Sequence, residues 1–388
     1  MSRSKKAEIA VAGHVCLDII PEIRTDSGVC LIEPGKLLEV GSAHLSNGGA
    51  VSNVGIALHK LGLRVRLLGK IGNDLFGRAI LDRFNEIDKT LTENMIPIVG
   101  ESSSYTIVIN PPGSDRSFWH HPGCNDTYTA NDVNCEDLKG INLFHFGYPP
   151  LMRQMVENDG KELLDLFRKV KSTGVVTSLD MAYPDPNSYS GRVDWRKILE
   201  RVLPFVDIFL PSLDETRYIL GYEINKEISH EILSKISGEL VQFGAGIIGL
   251  KLGDRGFYLR TSKDCSRFDK IIKDVDKWSD REIYSPCYKV NVKGATGSGD
   301  ATIAGFLAAL FNGHSPEKAV NTAIGVGACS VEAMDACSGI SDWNSLQNRI
   351  KSGWKKHSFA GQLAGLTWND NNQLAYGPAD LNCKRNYK

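Results

Sequence analysis

The run Gly294-Ala295-Thr296-Gly297-Ser298-Gly299-Asp300 places glycines, hydroxyls and a carboxylate side by side, between Tyr288-Lys289-Val290-Asn291-Val292 and an apolar stretch over 301–310. Its flanks read as a strand and a helix. A strand feeding a glycine-rich turn and then a helix leaves several backbone N–H groups unpaired and pointing one way, with the helix dipole favouring negative charge. Phosphate is the natural guest. Gly297 and Gly299 let the backbone approach it, Ser298 sits between them, and Asp300 in the first turn can accept a proton from a hydroxyl held nearby. Gly297, Ser298, Gly299 and Asp300 are therefore the expected catalytic group. The competing account is structural, with Asp300 capping the helix.

Such a turn needs a sheet and helices to hold it, and the chain is long enough to supply both. Its 388 residues are 42% hydrophobic, which allows one large α/β domain with an appendage, or two ordinary domains. Lys and Arg total 45 against 46 Asp and Glu, so there is no basic footprint for nucleic acid. The cysteines at 16, 30, 124, 135, 265, 287, 329, 337 and 383 are scattered, odd in number and never spaced Cys-x-x-Cys. That argues against structural zinc and a disulfide framework. Met1-Ser2-Arg3-Ser4-Lys5-Lys6 is basic, but Glu8, His14 and Asp18 break the apolar stretch behind it, so a secretory leader is not expected. No apolar run approaches the ~18 residues of a membrane span. A cytoplasmic protein is the expectation.

Short apolar runs at 9–13, 65–68, 143–146, 175–179, 208–210 and 247–251 read as buried strands, alternating with helical periodicity, notably at 50–61 and 78–87. The expected architecture is an α/β, doubly wound, Rossmann-like αβα sandwich. The stretch 18–45, punctuated by Gly28, Pro34 and Gly35, reads as a strand-rich insertion. Runs at 105–110 and 117–121 flank Pro111-Pro112-Gly113-Ser114-Asp115-Arg116 and read as a hairpin able to cover a site. A small β lid built from about 16–46 and 100–125 follows from these two pieces. Helices over 315–334 and 341–354 close the core, so that 1–356 forms the main domain. Periodicity fades over 357–388, which suits a surface-wrapping extension or a loose tail.

Four stretches in order, Gly13-His14-Val15-Cys16-Leu17-Asp18, 47–53, Lys251-Leu252-Gly253-Asp254-Arg255-Gly256 and 294–300, resemble the ribokinase or pfkB-type carbohydrate kinase family. The resemblance covers about 8–340 and implies an ATP-dependent sugar kinase using Mg²⁺. It implies sugar-binding roles for Asp18, Gly48, Gly49, Asn53 and Asn125, the last in the segment His120-His121-Pro122-Gly123-Cys124-Asn125. Each also has a structural reading, as loop, turn or backbone-bonding residue. Lys251, Gly253 and Gly256 match a nucleotide-binding turn whose other reading is a tight hairpin, and the adenine would lie against the helix containing Gly325 and Ala328, unless those small residues only pack. Pro211-Ser212-Leu213-Asp214-Glu215 matches an Asn-x-x-Glu element with Ser212 in place of Asn. Glu215 would order the water shell of Mg²⁺, and equally fits a Ser-x-x-Glu capping box.

Gly294 and Ala295 replace an Asp and a Thr of the family pattern, which puts potassium activation in doubt. A homodimer joined through the lids is implied by the resemblance. Neighbouring His120 and His121 on a strand point to opposite faces, so they do not share one metal ion. Two other readings stand beside the sugar kinase: a nucleoside kinase of the same fold, with Phe118 and Trp119 in the lid, and a catalytically silent regulatory relative.

Overall fold

The computed structural model describes residues 8–23, 34–35, 37–111, 116–224, 226–358 and 363–382. The N-terminal basic stretch, Gly28, turn residues 112–115 and 383–388 lie outside them. The chain begins β1 (Glu8–Gly13), β2 (Cys16–Pro21), β3 (Ala43–Gly48), α1 (Ala50–Lys60), β4 (Arg64–Gly72), α2 (Leu75–Ile87), β5 (Ile96–Ile98), β6 (Tyr105–Ile109), β7 (Ser117–His121) and β8 (Leu143–Gly147). It continues with α3 (Arg153–Ser172), β9 (Val176–Leu179), α4 (Trp195–Val202), β10 (Ile208–Phe209), α5 (Leu213–Leu220), α6 (His230–Gln242), β11 (Ile247–Lys251), β12 (Phe257–Thr261) and β13 (Glu282–Ser285). Last come α7 (Ser298–Phe311), α8 (Pro316–Ser330), α9 (Trp343–Lys351), β14 (Thr367–Asn369), β15 (Leu374–Tyr376) and α10 (Pro378–Asn382).

The main sheet has the order β14-β15-β13-β12-β11-β10-β9-β8-β1-β4-β5. Strands β11 through β5 in that order run parallel, and the remaining four extend the edge antiparallel. The chain first builds outward from β1 to β4 and β5, then crosses to build β8, β9, β10 and β11 on the other side. The reversal between β1 and β8 is a topological switch point, where a parallel sheet opens a crevice beyond its carboxyl ends. Alternation along each strand feeds two apolar layers: Ile9 and Val11 pack with α1, α7 and α8, while Ala10, Phe144 and Phe146 pack with α3, α4 and α6. Helix α7 is apolar all round and buried along most of its length, which ties the phosphate-type turn at its start to the core.

A second sheet, β3-β2-β6-β7, stands beyond the end of β1. Its β6–β7 hairpin and the strands on either side of the 18–45 stretch match the expected insertion, with Asp18 opposite Ser46.

Several local expectations need correction. The segment 288–292 is not a strand; only Tyr288 forms an isolated bridge, to Lys356. Its partner is the chain leaving α9, not the sheet, so its β-like composition serves a single extended crossing. Helix α2 begins at Leu75 because Asp74 caps it by accepting from the Gly77 amide at 2.8 Å. Helix α8 stops at Ser330, short of the 334 expected from its small-residue run. Of the two readings of the stretch after Lys356, an extension that packs on the domain holds over 363–382: β15 pairs with β13, and Leu374 and Ala375 are fully buried. Arg281 locks it in place, with Nε donating to Asp380 at 2.5 Å while the same guanidinium pairs with Glu317 of α8. Lys356 Nζ adds hydrogen bonds to Ser285 Oγ at 2.7 Å, Asn321 Oδ1 at 2.6 Å and the Gln373 carbonyl at 3.0 Å.

Candidate active site

The carboxyl ends of the parallel strands deliver the polar side chains. His14 follows β1, Tyr148 follows β8, Asp180 follows β9, Ser212 opens α5 just beyond β10, and Lys251 ends β11. Asp300 reaches the same crevice from the first turn of α7 and is 2% exposed. Asn53, one turn into α1, donates from Nδ2 to Asp300 Oδ2 at 2.9 Å. The Tyr148 hydroxyl donates to both carboxylate oxygens, at 2.8 and 2.7 Å. Burial pushes the Asp300 carboxyl above the usual carboxylate range, and Lys251, Tyr148 and Asn53 work against that rise.

Lys251 Nζ pairs with Asp180 Oδ1 at 2.6 Å. The other oxygen of Asp180 is buried with no hydrogen-bond partner among the described residues. Burial drives Asp180 well above the usual carboxylate range, opposed by Lys251 and reinforced by Glu215 and Asp300. Burial alone would lower the Lys251 ammonium, but Asp180, Glu215 and Asp300 carry it upward. One cation thus stands among three carboxylates. Glu215 and Ser212 form the capping box: Ser212 Oγ accepts from the Glu215 amide at 3.2 Å and Glu215 Oε2 accepts from the Ser212 amide at 2.6 Å.

The glycines hold these groups close together. Gly297 takes φ 71° at the N-cap of α7, and a Cβ there would lie 2.3 Å from that of Ala336, so both conformation and space require glycine. The first-turn amides of α7 beyond it have no intrahelical acceptors by construction. Ser298 Oγ donates to the Ala295 carbonyl at 3.0 Å, which tightens the turn. At Gly299 the nearest neighbour of a Cβ would be the Lys251 stem, at 3.5 Å, which places that lysine over the helix start. Gly48 makes room for Asp18, whose Oδ2 would be 2.3 Å from a Cβ, and Gly49 makes room for His14. Gly253 opens the turn after β11 and faces open space, whereas Gly256 lets the chain pass the Ser285 carbonyl, 1.9 Å from a Cβ. A cavity of about 460 Å³ adjoins this turn, lined in part by Ser212, Arg217, Lys251, Gly253 and Arg255.

On the lid side, burial raises the Asp18 carboxyl to about 6, partly offset by hydrogen bonds from Cys16 and Thr106. The Nε2 atoms of His14 and His120 are 3.3 Å apart, joining the lid strand β7 to the end of β1. Burial holds His120 down at about 4, helped by His121. His121 faces the other way, 2.9 Å from Ser102 Oγ, as alternation on a strand requires.

Two expected site residues have partners within the fold. Asn125 is fully buried, its Oδ1 accepting from the Val15 amide at 3.2 Å and its Nδ2 donating to the Val15 carbonyl at 2.9 Å. Its side-chain amide braces the loop after β1, which is the structural reading of this residue. A Cβ on Gly325 would meet Ile350 and Leu346 at 3.1 and 3.3 Å, so this glycine lets α9 pack closely on α8. Sequence reasoning passed over Tyr148, Asp180 and the inward role of His14. Each follows a short apolar strand directly, and the rule that ligands gather beyond carboxyl ends of parallel strands would have marked them.

Residues 6–343 match the family model described as pfkB family carbohydrate kinase. An uncharacterized sugar kinase of Archaeoglobus fulgidus is 24% identical over 285 residues, covering 74% of this chain and 98% of its own. A solved ribokinase of Arabidopsis thaliana, complexed with ribose and ATP, matches with a TM-score of 0.69 at 18% identity, over 88% of this chain and 98% of that one. A solved nucleoside kinase of Methanocaldococcus jannaschii matches with a TM-score of 0.66 at 17% identity, over 90% of this chain and 100% of that one. The fold shared with these structures is the ribokinase-type α/β fold.

Proposed function

The chain belongs to the pfkB family of carbohydrate kinases, and from that premise we propose that it transfers the γ-phosphoryl group of ATP to a sugar hydroxyl, with Asp300 as the base. The observation that carries the reading is the meeting of Asp300, Asn53 and Lys251 at the glycine turn that opens α7. The acceptor hydroxyl would lie between the Asp300 carboxylate and the γ-phosphorus. Its oxygen attacks in line, the bond to the β,γ-bridging oxygen breaks as ADP leaves, and the proton passes to Asp300. Amides of the Gly297–Asp300 turn would hold the transferring group, with the Ser298 amide itself donating to the Ala295 carbonyl at 3.3 Å and so tightening the turn. Asp18, Gly48, Gly49 and Asn53 line the sugar side of this reading. Lys251, Gly253 and the adjoining cavity line the nucleotide side.

Mg²⁺ is implied by the family, and the residues fit it. Asp180 keeps a buried oxygen without a hydrogen-bond partner among the described residues, and Glu215 faces the same ammonium. No group of three or more ligating side chains is present among the described residues. That donor set suits an ion that arrives with the triphosphate and keeps several waters, held in outer sphere by Glu215. When bound, it would neutralise phosphate charge.

The test is a coupled ADP-release assay with ATP and Mg²⁺ over a panel of sugars and nucleosides. Sugar-dependent release is the expected result. Absence of ADP release with every acceptor would overturn the reading in favour of a silent regulator. The nucleoside reading has one observation in its favour, the His14 ring 5.1 Å from that of His120 and 6.2 Å from that of Tyr148, which offers flat surfaces to a base. Nucleoside-dependent release alone would select it.

A homodimer through the lid is supported by β7, an edge strand with Phe118 and Trp119 about half exposed. Sedimentation at several concentrations tests it. A reducing cytoplasm is supported by the thiols at 16, 124, 135, 265, 287, 329 and 337, all free. Gly294 and Ala295 support turnover without potassium, to be checked by exchanging potassium for sodium.

A further inference from the structure

At the switch point the glycines that end β1 and β8 are pressed together. A Cβ on Gly13 would lie 2.3 Å from the Gly147 carbonyl oxygen, and one on Gly147 would lie 2.2 Å from the Ala50 Cβ. The next residue, Tyr148, turns the chain with φ 66° and ψ 40°. That left-handed conformation is uncommon for a bulky side chain and persists only where its surroundings over-determine it. Its effect here is to swing the phenol back over the sheet edge, onto both oxygens of Asp300.

We propose that Tyr148 is a positioning residue for phosphoryl transfer: its hydroxyl fixes the orientation of the Asp300 carboxylate and, with Asn53, donates to the oxygens that receive the proton. The proposal rests on the reading of Asp300 as the base. A base buried this deeply tends toward its neutral acid, which has no use for a second proton. The groups around it divide. Lys251 from β11 favours the charged form, while Asp180 after β9, Glu215 on α5 and Cys337 in the segment before α9 share the same field and would add like charge when ionised. Asn53 and Tyr148 are the neutral donors that touch the carboxylate. His14, at the end of β1, packs beside the phenol and is held well below its ordinary range by burial, with His120 adding to the effect, so no imidazolium charge enters the balance. Burial, Asp300 and Asp180 hold the phenol well above its ordinary range. It therefore remains a donor and keeps its own proton throughout the step.

The experiment compares pH profiles of kcat and KM for the wild type, Tyr148→Phe and Asp300→Asn, with the best acceptor from the panel. Removal of one hydrogen bond to a charged group should move the acid limb of Tyr148→Phe upward by about one to two pH units. Below its acid limb kcat should fall by about tenfold to hundredfold and recover toward the wild type in alkali, with KM changed by less than about threefold. An acid limb that stays in place, or a loss that resides in KM, overturns the proposal. Asp300→Asn separates the two claims: if it still turns over, the base assignment falls, whereas a dead Asp300→Asn beside an unmoved Tyr148→Phe limb removes Tyr148 alone. Difluorotyrosine introduced at position 148 keeps the shape and strengthens the donor. Its acid limb should move downward, which decides the matter even if the phenylalanine variant folds poorly.

Discussion

Replacing Asp300 by Asn is the sharpest test of the proposed chemistry, because the site can absorb the change structurally. The new side-chain carbonyl can accept from Asn53 Nδ2, which now donates to Oδ2 at 2.9 Å. The new amide can donate to the Tyr148 hydroxyl, which is able to reverse from donor to acceptor. No buried polar atom is left unpaired, so the melting temperature should stay close to that of the wild type. ATP affinity should also persist, since the proposed anion site consists of α7 amides with Lys251 over Gly299. What disappears is the proton acceptor. General-base contributions run to about 10²–10⁴ in rate, which at about 1.36 kcal/mol per decade is about 3–5 kcal/mol of barrier. Coupled ADP release measures the turnover, and titration calorimetry with a non-hydrolysable ATP analogue measures the binding. A folded variant within about tenfold of wild-type kcat would refute the base assignment. Retained fold with lost nucleotide binding would refute the backbone anion site.

Asp18 titrates near 6 in the folded chain because of burial, above the unfolded carboxylate. Raised in this direction, it is stabilising only while protonated, and stability is lost as pH rises from the ordinary carboxylate range through about 6; Asp18→Asn should therefore gain about 2–3 kcal/mol at pH 7 by urea unfolding while raising the sugar KM. An unchanged KM would remove Asp18 from the pocket. Asn125→Ala should cost about 2–4 kcal/mol, by stranding the Val15 amide and carbonyl it now serves, and a large KM effect without destabilisation would mark it as a ligand. Gly256→Ala meets both a φ of 113° and the Ser285 carbonyl, so a drop of several degrees in melting temperature is expected, and an unaltered melt would contradict the geometry. Truncation after Lys356 removes β15 and bares the β13 edge, so aggregation on heating should rise relative to the full chain, as read by light scattering.

Local chemistry explains which features were legible in the residues alone. A glycine turn before a helix, a Ser-x-x-Glu box at 212–215 and the two runs that flank the 111–116 turn each carry their instructions within a few positions. The αβα class and the glycine turn before α7 followed from such signals. Legibility failed where a segment's partner is remote. The 288–292 stretch has strand-like residues but bridges only to Lys356, and nothing local in the tail chooses between a loose end and an extension that pairs with β13. Gly325 packs against a helix neighbour and Asn125 braces a loop backbone, partners that lie far along the chain from either residue's local pattern.

By itself the sequence determined the alternation of strands and helices, the glycine turns and caps, and the presence of Asp300 at the head of an apolar helix. Tertiary structure alone decided what surrounds that carboxylate. Asn53 lies 247 positions from it and Tyr148 lies 152 positions from it, and no local pattern encodes such separations. Strand order and helix packing bring them together: β1 and β8 become neighbours at the switch point, Tyr148 leaves the carboxyl end of β8, and α1, packed on β1, β4 and α7, brings Asn53 to the same edge.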